Sequence, residues 1–331
     1  MHCHRIAFSI ASALLLLTPR VMAKSPHTAQ QFFERGNLRY SKSDFQGAVD
    51  DYTQAIELAT RLDKSREDSL ASGLRGDVDP SRNRQEGIRA IDPAIAPAYG
   101  NRALSRYRLG DLSGALADSE QAIALNPRVA QSYVDRAIVW HVMGNHEKAL
   151  ADLDRALVLQ PGSADAHNNR GNILREEGRY REAIEDFNRA IEASPGVAEE
   201  YYNRGITESE SGDFRGALQD FEKHIEMRPE LAGGYLGRGI VLFKLANLDG
   251  ALKDLNHAIK LSPGLTNAYA DRGLVYLLTG KEGEAKQDFA TAIAMDPRIK
   301  DDLQKHIVKA QALLARRGIP GVPTAVQDII P

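Results

Sequence analysis

AEEYYNRGITESESGDFRGALQDFEKHIEMRPEL, residues 198–231, is followed directly by AGGYLGRGIVLFKLANLDGALKDLNHAIKLSPGL, residues 232–265. The two stretches align without a gap. Tyr201 falls over Tyr235, Gly205 over Gly239, Ala217 over Ala251, Phe221 over Leu255 and Pro229 over Pro263, each 34 residues apart. The register holds outward in both directions. Gly110, Gly144, Gly178, Gly212 and Gly280 keep the step, with Ala246 filling the one gap, and Pro127, Pro161, Pro195, Pro229, Pro263 and Pro297 march at the same interval. A fixed period of this length is one supersecondary unit stacked many times. The useful surface of such a stack is a groove, which moves the expectation away from an enzyme.

Blocks in register occupy 29–62, 96–129, 130–163, 164–197, 198–231, 232–265 and 266–299. Each holds two amphipathic stretches. In the block at 164–197, Ile173, Ala183, Ile184, Phe187, Ala190 and Ile191 recur at three and four, the helical period. The glycine between the stretches ends the first helix in a left-handed turn, and the proline stops the second. Asp44, Asp111, Asn145, Asp213 and Asn247 follow that turn, where the second helix needs an N-cap. Each block therefore predicts a helical hairpin.

The pattern of these residues resembles the tetratricopeptide repeat: an aromatic, a small residue four on, an alanine sixteen after the aromatic, a bulky residue, another alanine and a closing proline. The resemblance covers about 240 residues in seven copies. Departures are few: His167 stands for an aromatic, Ser119 for a bulky residue and His224 for an alanine, and the first block lacks its proline. It implies an all-α fold, a right-handed superhelical α-solenoid of helical hairpins, that binds protein or extended peptide.

Residues 63–95 keep the register through Gly76 and Pro93 but are one residue short. They read either as a decayed repeat, with a first helix at Leu62 to Arg75 and a short second one from Asp79-Pro80, or as a loop insert. After Pro297, Leu303, Ile307, Ala310 and Leu314 make one apolar stripe on a capping helix at 300–317, and residues 318–331 carry three prolines and read as an extended tail.

The chain has 331 residues and opens with His2, His4 and Arg5, an apolar run from Ile6 to Leu17, and Val21 and Ala23 before Lys24. The run is too short for a bilayer span, so residues 1–23 read as a signal peptide, with an uncleaved anchor as the alternative. The expected location is exported, periplasmic or secreted. Without those residues, 40 basic against 45 acidic side chains leave a charge of about −5, and Cys3, the only cysteine, is gone. That excludes disulfides, thiol catalysis and cysteine-held metals. The mildly acidic body, without a basic stripe, argues against nucleic acid.

Two charges recur in all seven blocks. Arg35, Arg102, Arg136, Arg170, Arg204, Arg238 and Arg272 share one position; Asp51, Asp118, Asp152, Asp186, Asp220, Asp254 and Asp288 share another, sixteen residues later. Seven identical copies argue for a structural bridge, within a hairpin or between neighbours, over a basic ladder for acidic ligands. His141 and His146 are five apart, and the turn at Gly144 separates them. No histidine pair has metal-ligand spacing with carboxylate support. No nucleophile elbow, phosphate loop or catalytic triad is visible. No catalytic residue, metal or cofactor is expected.

Function is expected where the copies differ. In the family the first helices line the inner groove, which here implies Asn168, Asn169, Asn172, Tyr202 and Asn203 as peptide contacts. Asn101, Asp135, Asn169, Asn203 and Asp271 share one position. An amide both donates and accepts, so an asparagine row can hold a peptide backbone whatever its sequence; the bland reading is a solvated polar surface. Phe243 and Leu277, with Leu236, Ile240, Leu274 and Leu278, suggest an apolar subsite, or a surface covered by the capping helix or the tail. A basic clamp on a C-terminal carboxylate is rejected, because its positions hold Gln131, Asp135, Asp165, Glu199 and Gly233. The leading reading is a non-catalytic scaffold or adaptor. The alternative is a structural element of an envelope complex, docked through its convex face or insert, with its groove closed by its own tail.

Overall fold

Fifteen α-helices and one short 3-10 turn make up the described residues of the computed structural model, 27–73 and 95–316, and no strand occurs among them. Residues 1–26, on which the expected signal peptide falls, 74–94 in the expected decayed repeat or insert, and 317–331 with the expected tail lie outside the described residues. The chain divides into two units, 1–173 and 174–331, with the boundary inside a helix.

In the first unit α1 (Ala29–Ser41) pairs with α2 (Phe45–Gly73), α3 (Ala96–Arg108) with α4 (Leu112–Leu125), and α5 (Ala130–Val142) with α6 (His146–Leu159). Next comes α7 (Ala164–Glu176), which carries the boundary. The second unit continues with α8 (Tyr180–Ala193), then the pairs α9 (Ala198–Ser211) and α10 (Phe214–Met227), α11 (Ala232–Lys244) and α12 (Leu248–Leu261), and α13 (Thr266–Leu278) and α14 (Glu282–Met295). It ends in the 3-10 turn Pro297–Ile299 and α15 (Lys300–Arg316). Within each unit the helices pack in chain order, and first helices also touch first helices: α1 on α3 and α3 on α5, then α9 on α11, α11 on α13 and α13 on α15. This is solenoid stacking.

Local chemistry sets each hairpin. Gly110, Gly144, Gly178, Gly212 and Gly280 all have positive φ, between 75° and 90°, and Ala246 is forced into the same region at 61°. The caps form where the sequence places them: the side-chain oxygens of Asp44, Asp111, Asn145, Asp213 and Asn247 accept from the backbone N–H three residues on, at 2.9–3.1 Å. The second helices stop two residues before each proline. In the first repeat, Thr60 stands at the proline position, and α2 runs on to Gly73. The helix expected at Leu62 to Arg75 thus has no start of its own. With no proline to remove a backbone donor, nothing interrupts the ladder.

Packing inside a hairpin is a matched pair of sizes. A Cβ on Gly273 would lie 2.5 Å from the Phe289 ring, and one on Gly36 would lie 2.6 Å from Tyr52. Where the opposing residue is small, the glycine is replaced: Ala103 occurs in the hairpin that carries Ser119, whose hydroxyl bonds back to the Ala115 carbonyl at 2.8 Å. His224 follows the same logic. It fills an alanine slot because Gly234 leaves the space its imidazole occupies.

Candidate functional site

The recurring arginine has three jobs, all inside the scaffold. In six repeats its guanidinium forms a two-pronged bond to the aspartate sixteen residues on; Arg102 to Asp118 (2.7 and 2.8 Å) and Arg272 to Asp288 (2.7 and 2.7 Å) are typical. The pairs are Arg35–Asp51, Arg102–Asp118, Arg136–Asp152, Arg204–Asp220, Arg238–Asp254 and Arg272–Asp288. The remaining guanidinium nitrogen reaches the preceding hairpin: Arg204 to Asn188 at 2.6 Å, Arg272 to Asn256 at 2.7 Å and Arg102 to Thr53 at 3.0 Å. Arg170 reaches back to Asp154 at 2.7 Å. The guanidinium carbon also stands 5.3–6.0 Å from the centre of the aromatic ring three residues earlier in each of those six pairs. The bond to aspartate holds Arg136, Arg204, Arg238 and Arg272 above the usual guanidinium range. One side chain thus ties its own hairpin and clasps the one before it. No basic ladder is left over for a ligand from these arginines.

His167 is scaffold as well. His167 Nε2 donates to the Pro161 carbonyl at 2.9 Å. Tyr133 and Tyr201, at the same repeat position, make the same bond to Pro127 and Pro195 at 3.2 and 3.4 Å. The imidazole reproduces what a phenol does elsewhere. His141 and His146 correct the expectation of separation: their rings meet edge to face with centres 5.3 Å apart. The Gly144 turn reverses the chain and brings the end of α5 beside the start of α6. Burial lowers the His224 pKa.

The expected peptide contacts fall into three groups. On α7, Asn168 and Asn169 are buried, at 2% and 5% exposure, and Asn172 is half-buried. Asn169 spends one amide hydrogen on the Asp165 carbonyl at 2.8 Å, leaving its acceptor oxygen uncommitted to that bond. On α9, Tyr202 and Asn203 are half-buried. Tyr202 packs on Phe221 (5.9 Å between centres) and His224 (5.2 Å), and burial raises its phenol pKa. The third group is corrected. Phe243 is fully buried and Leu277 nearly so, in a cluster with Leu274, Leu278 and Phe289. Phe243 on α11 and Leu277 on α13 meet where those helices touch, and α15, packed against α13, adds Leu303 and Ala310 to the same cluster. These side chains are core, not a subsite.

In the first unit the asparagines partly satisfy one another: Asn101 donates to Asn37 at 2.8 Å, and Tyr52 donates to the same oxygen at 2.7 Å. Asp135 accepts from Gln131 at 2.9 Å, and burial pushes its carboxyl up to about 7. Sequence reading missed a different feature. Lys244 and Asp271 are half-buried on adjoining first helices, and neither side chain has a hydrogen bond or an ion pair within 4.0 Å among the described residues. Lys244 occurs once at its repeat position and Asp271 sits in the asparagine row, so the period does not mark the two as a pair.

The tetratricopeptide repeat family matches residues 101–164, 142–198 and 202–266, and a second description of the same repeat matches 266–299. The chain belongs to this family, whose members bind proteins or peptides and are generally non-catalytic scaffolds. Solved structures share the fold. A tetratricopeptide repeat protein from Parabacteroides merdae is 20% identical at a TM-score of 0.58, covering 85% of this chain and 98% of its own. PilW, a widely conserved type IV pilus biogenesis factor, is 20% identical at 0.59, covering 63% and 97%. PilF of Pseudomonas aeruginosa is 18% identical at 0.57, covering 63% and 96%. No curated protein matches the chain. No helix of the described residues is long and apolar enough to cross a membrane.

Proposed function

We propose that this chain is a non-catalytic adaptor, exported under the direction of residues 1–23, that holds an extended peptide or partner protein against the inner residues of its first helices. One observation carries the reading. Within each unit first helices lie side by side, so their inner residues form a strip, while the repeated arginines and aspartates are used within the scaffold. What differs between copies is thus left for recognition: Asn169 and Asn172 on α7, and Asn203 with Tyr202 on α9.

The test is Asn169→Ala combined with Asn203→Ala, read by proximity crosslinking in the exported compartment. Capture of the partner weakens by about tenfold, as expected for two lost hydrogen bonds, while the melting temperature holds within about 2 °C. Undiminished capture by the double variant removes the asparagines from the site. Deleting 318–331 checks the envelope-assembly alternative, in which the tail occludes the groove: new binding or dimerisation on deletion favours it.

A further inference from the structure

We propose that the inner face of the second unit grips a neutral, apolar peptide segment by its main chain, with one carbonyl accepting from Lys244 Nζ and a nearby N–H donating to Asp271. This rests on the preceding reading and names the class of segment.

Four charges of alternating sign stand on successive first helices: Arg175 on α7, Glu210 on α9, Lys244 on α11 and Asp271 on α13. The first two satisfy each other, with Arg175 Nη1 at 3.2 and 3.4 Å from the Glu210 oxygens. Lys244 and Asp271 do not. The ammonium has the Phe214 ring at 5.9 Å from its nitrogen, and Asp271 has no donor among the described residues. Each senses the other's charge across the contact between α11 and α13 without closing a bridge. Burial lowers the Lys244 pKa and pushes Asp271 up to about 7. Half-buried Leu236 and Ile240, two turns and one turn before Lys244 on α11, border the core cluster there.

Half-burying a charge without a partner is unfavourable, and the same chain shows how it closes such pairs when structure is the purpose. The Arg–Asp bonds are closed in six repeats, whereas this pair is open. Stability does not account for it; a ligand that supplies both missing partners does. The alternation of sign selects that ligand. An anion drawn to Lys244 meets Glu210 and Asp271, and a cation drawn to Asp271 meets Lys244. A peptide group is neutral and offers an acceptor and a donor on opposite edges. Leu236 and Ile240 beside Lys244 then favour apolar side chains. The site also begins where the asparagine position lapses, to Gly237 and Asp271 in the last two repeats.

The probe is the labelled peptide acetyl-Ala-Val-Leu-Val-Ser-amide, with a second version N-methylated at the central leucine, titrated into the full chain by fluorescence anisotropy. The parent binds saturably. Lys244→Met and Asp271→Leu each weaken the unmethylated probe by about tenfold, the size of one charged hydrogen bond. Both variants melt at or above the parent temperature, because an uncompensated charge is gone. N-methylation weakens binding to the parent but not to Asp271→Leu. The proposal is overturned if the parent does not bind the probe, if either variant binds like the parent, or if both variants melt lower. Partner capture by the Asn169/Asn203 double variant judges the wider reading separately, so the two failures are distinguishable.

Discussion

Glu208 shows how one residue can depart from the scaffold's chemistry. Its repeat position holds Arg39 in the first repeat and Arg106 in the second, and both extend to the ladder aspartate: Arg39 to Asp51 at 3.3 Å and Arg106 to Asp118 at 2.7 Å. In the fifth repeat a carboxyl stands there instead. Arg204 is 3.9 Å away, already committed to Asp220, and Glu208 Oε2 is buried with no donor among the described residues. Burial, then the nearby Asp220 charge, pushes Glu208 up to about 8 from an ordinary 4.5; Asp213 adds to the rise and Arg204 opposes it. The folded chain keeps this proton between those values, while the unfolded chain gives it up. Stability therefore falls as pH rises through that window and levels off above it. Glu208→Gln removes the slope, so its melting temperature gains on the parent by a few degrees from pH 5 to pH 8. Calorimetry of both chains across that range checks this; parallel curves would show that Glu208 does not titrate there.

At the scale of the element, the hairpin turn is the unit that repeats, and it depends on left-handed backbone. Five turns use glycine there. Ser43 (φ 62°) and Ala246 (φ 61°) adopt the same region with a side chain. The turn bonds persist, with Ala246 N–H donating to Phe243 at 2.9 Å and Asn247 N–H to Leu242 at 2.8 Å, so the hairpin holds the residue in a conformation its Cβ opposes. Ala246→Gly should raise unfolding stability by about 1 kcal/mol, measured by urea denaturation at constant m-value. The inner-face reading makes no demand on this turn, so peptide binding should be unaffected.

A stacked chain ends where the next hairpin is missing, and its last apolar face must be covered. In the second unit α15 does this. Leu303 and Ala310 are buried in the terminal cluster, and Ile307, Leu313 and Leu314 pack against it. Truncation after Ile299 should uncover Leu274, Leu277 and Leu278 at a cost of several kcal/mol, at roughly 1.5–3 for each large side chain exposed. A lower melting temperature and new binding of an apolar dye would report it. An unchanged melt would mean that α15 is not needed as a lid.

The sequence by itself determined the hairpins, their turns, their caps and their number in the clear repeats. These are decided within a few residues: a glycine that admits positive φ, an aspartate three before an exposed N–H, a proline that ends a ladder. It also singled out the Arg–Asp recurrence, because a pair sixteen apart in every copy is visible without coordinates. Only the tertiary structure decided where those arginines spend their third nitrogen, that His167 makes a tyrosine's bond to a proline carbonyl, and that Phe243 and Leu277 are buried in the terminal core cluster. It alone set Lys244 beside Asp271 of the asparagine row, 27 residues apart in the chain. Periodicity records what every copy needs. Pairing across helices is set by distance and burial, and a residue that occurs once leaves no trace in a period.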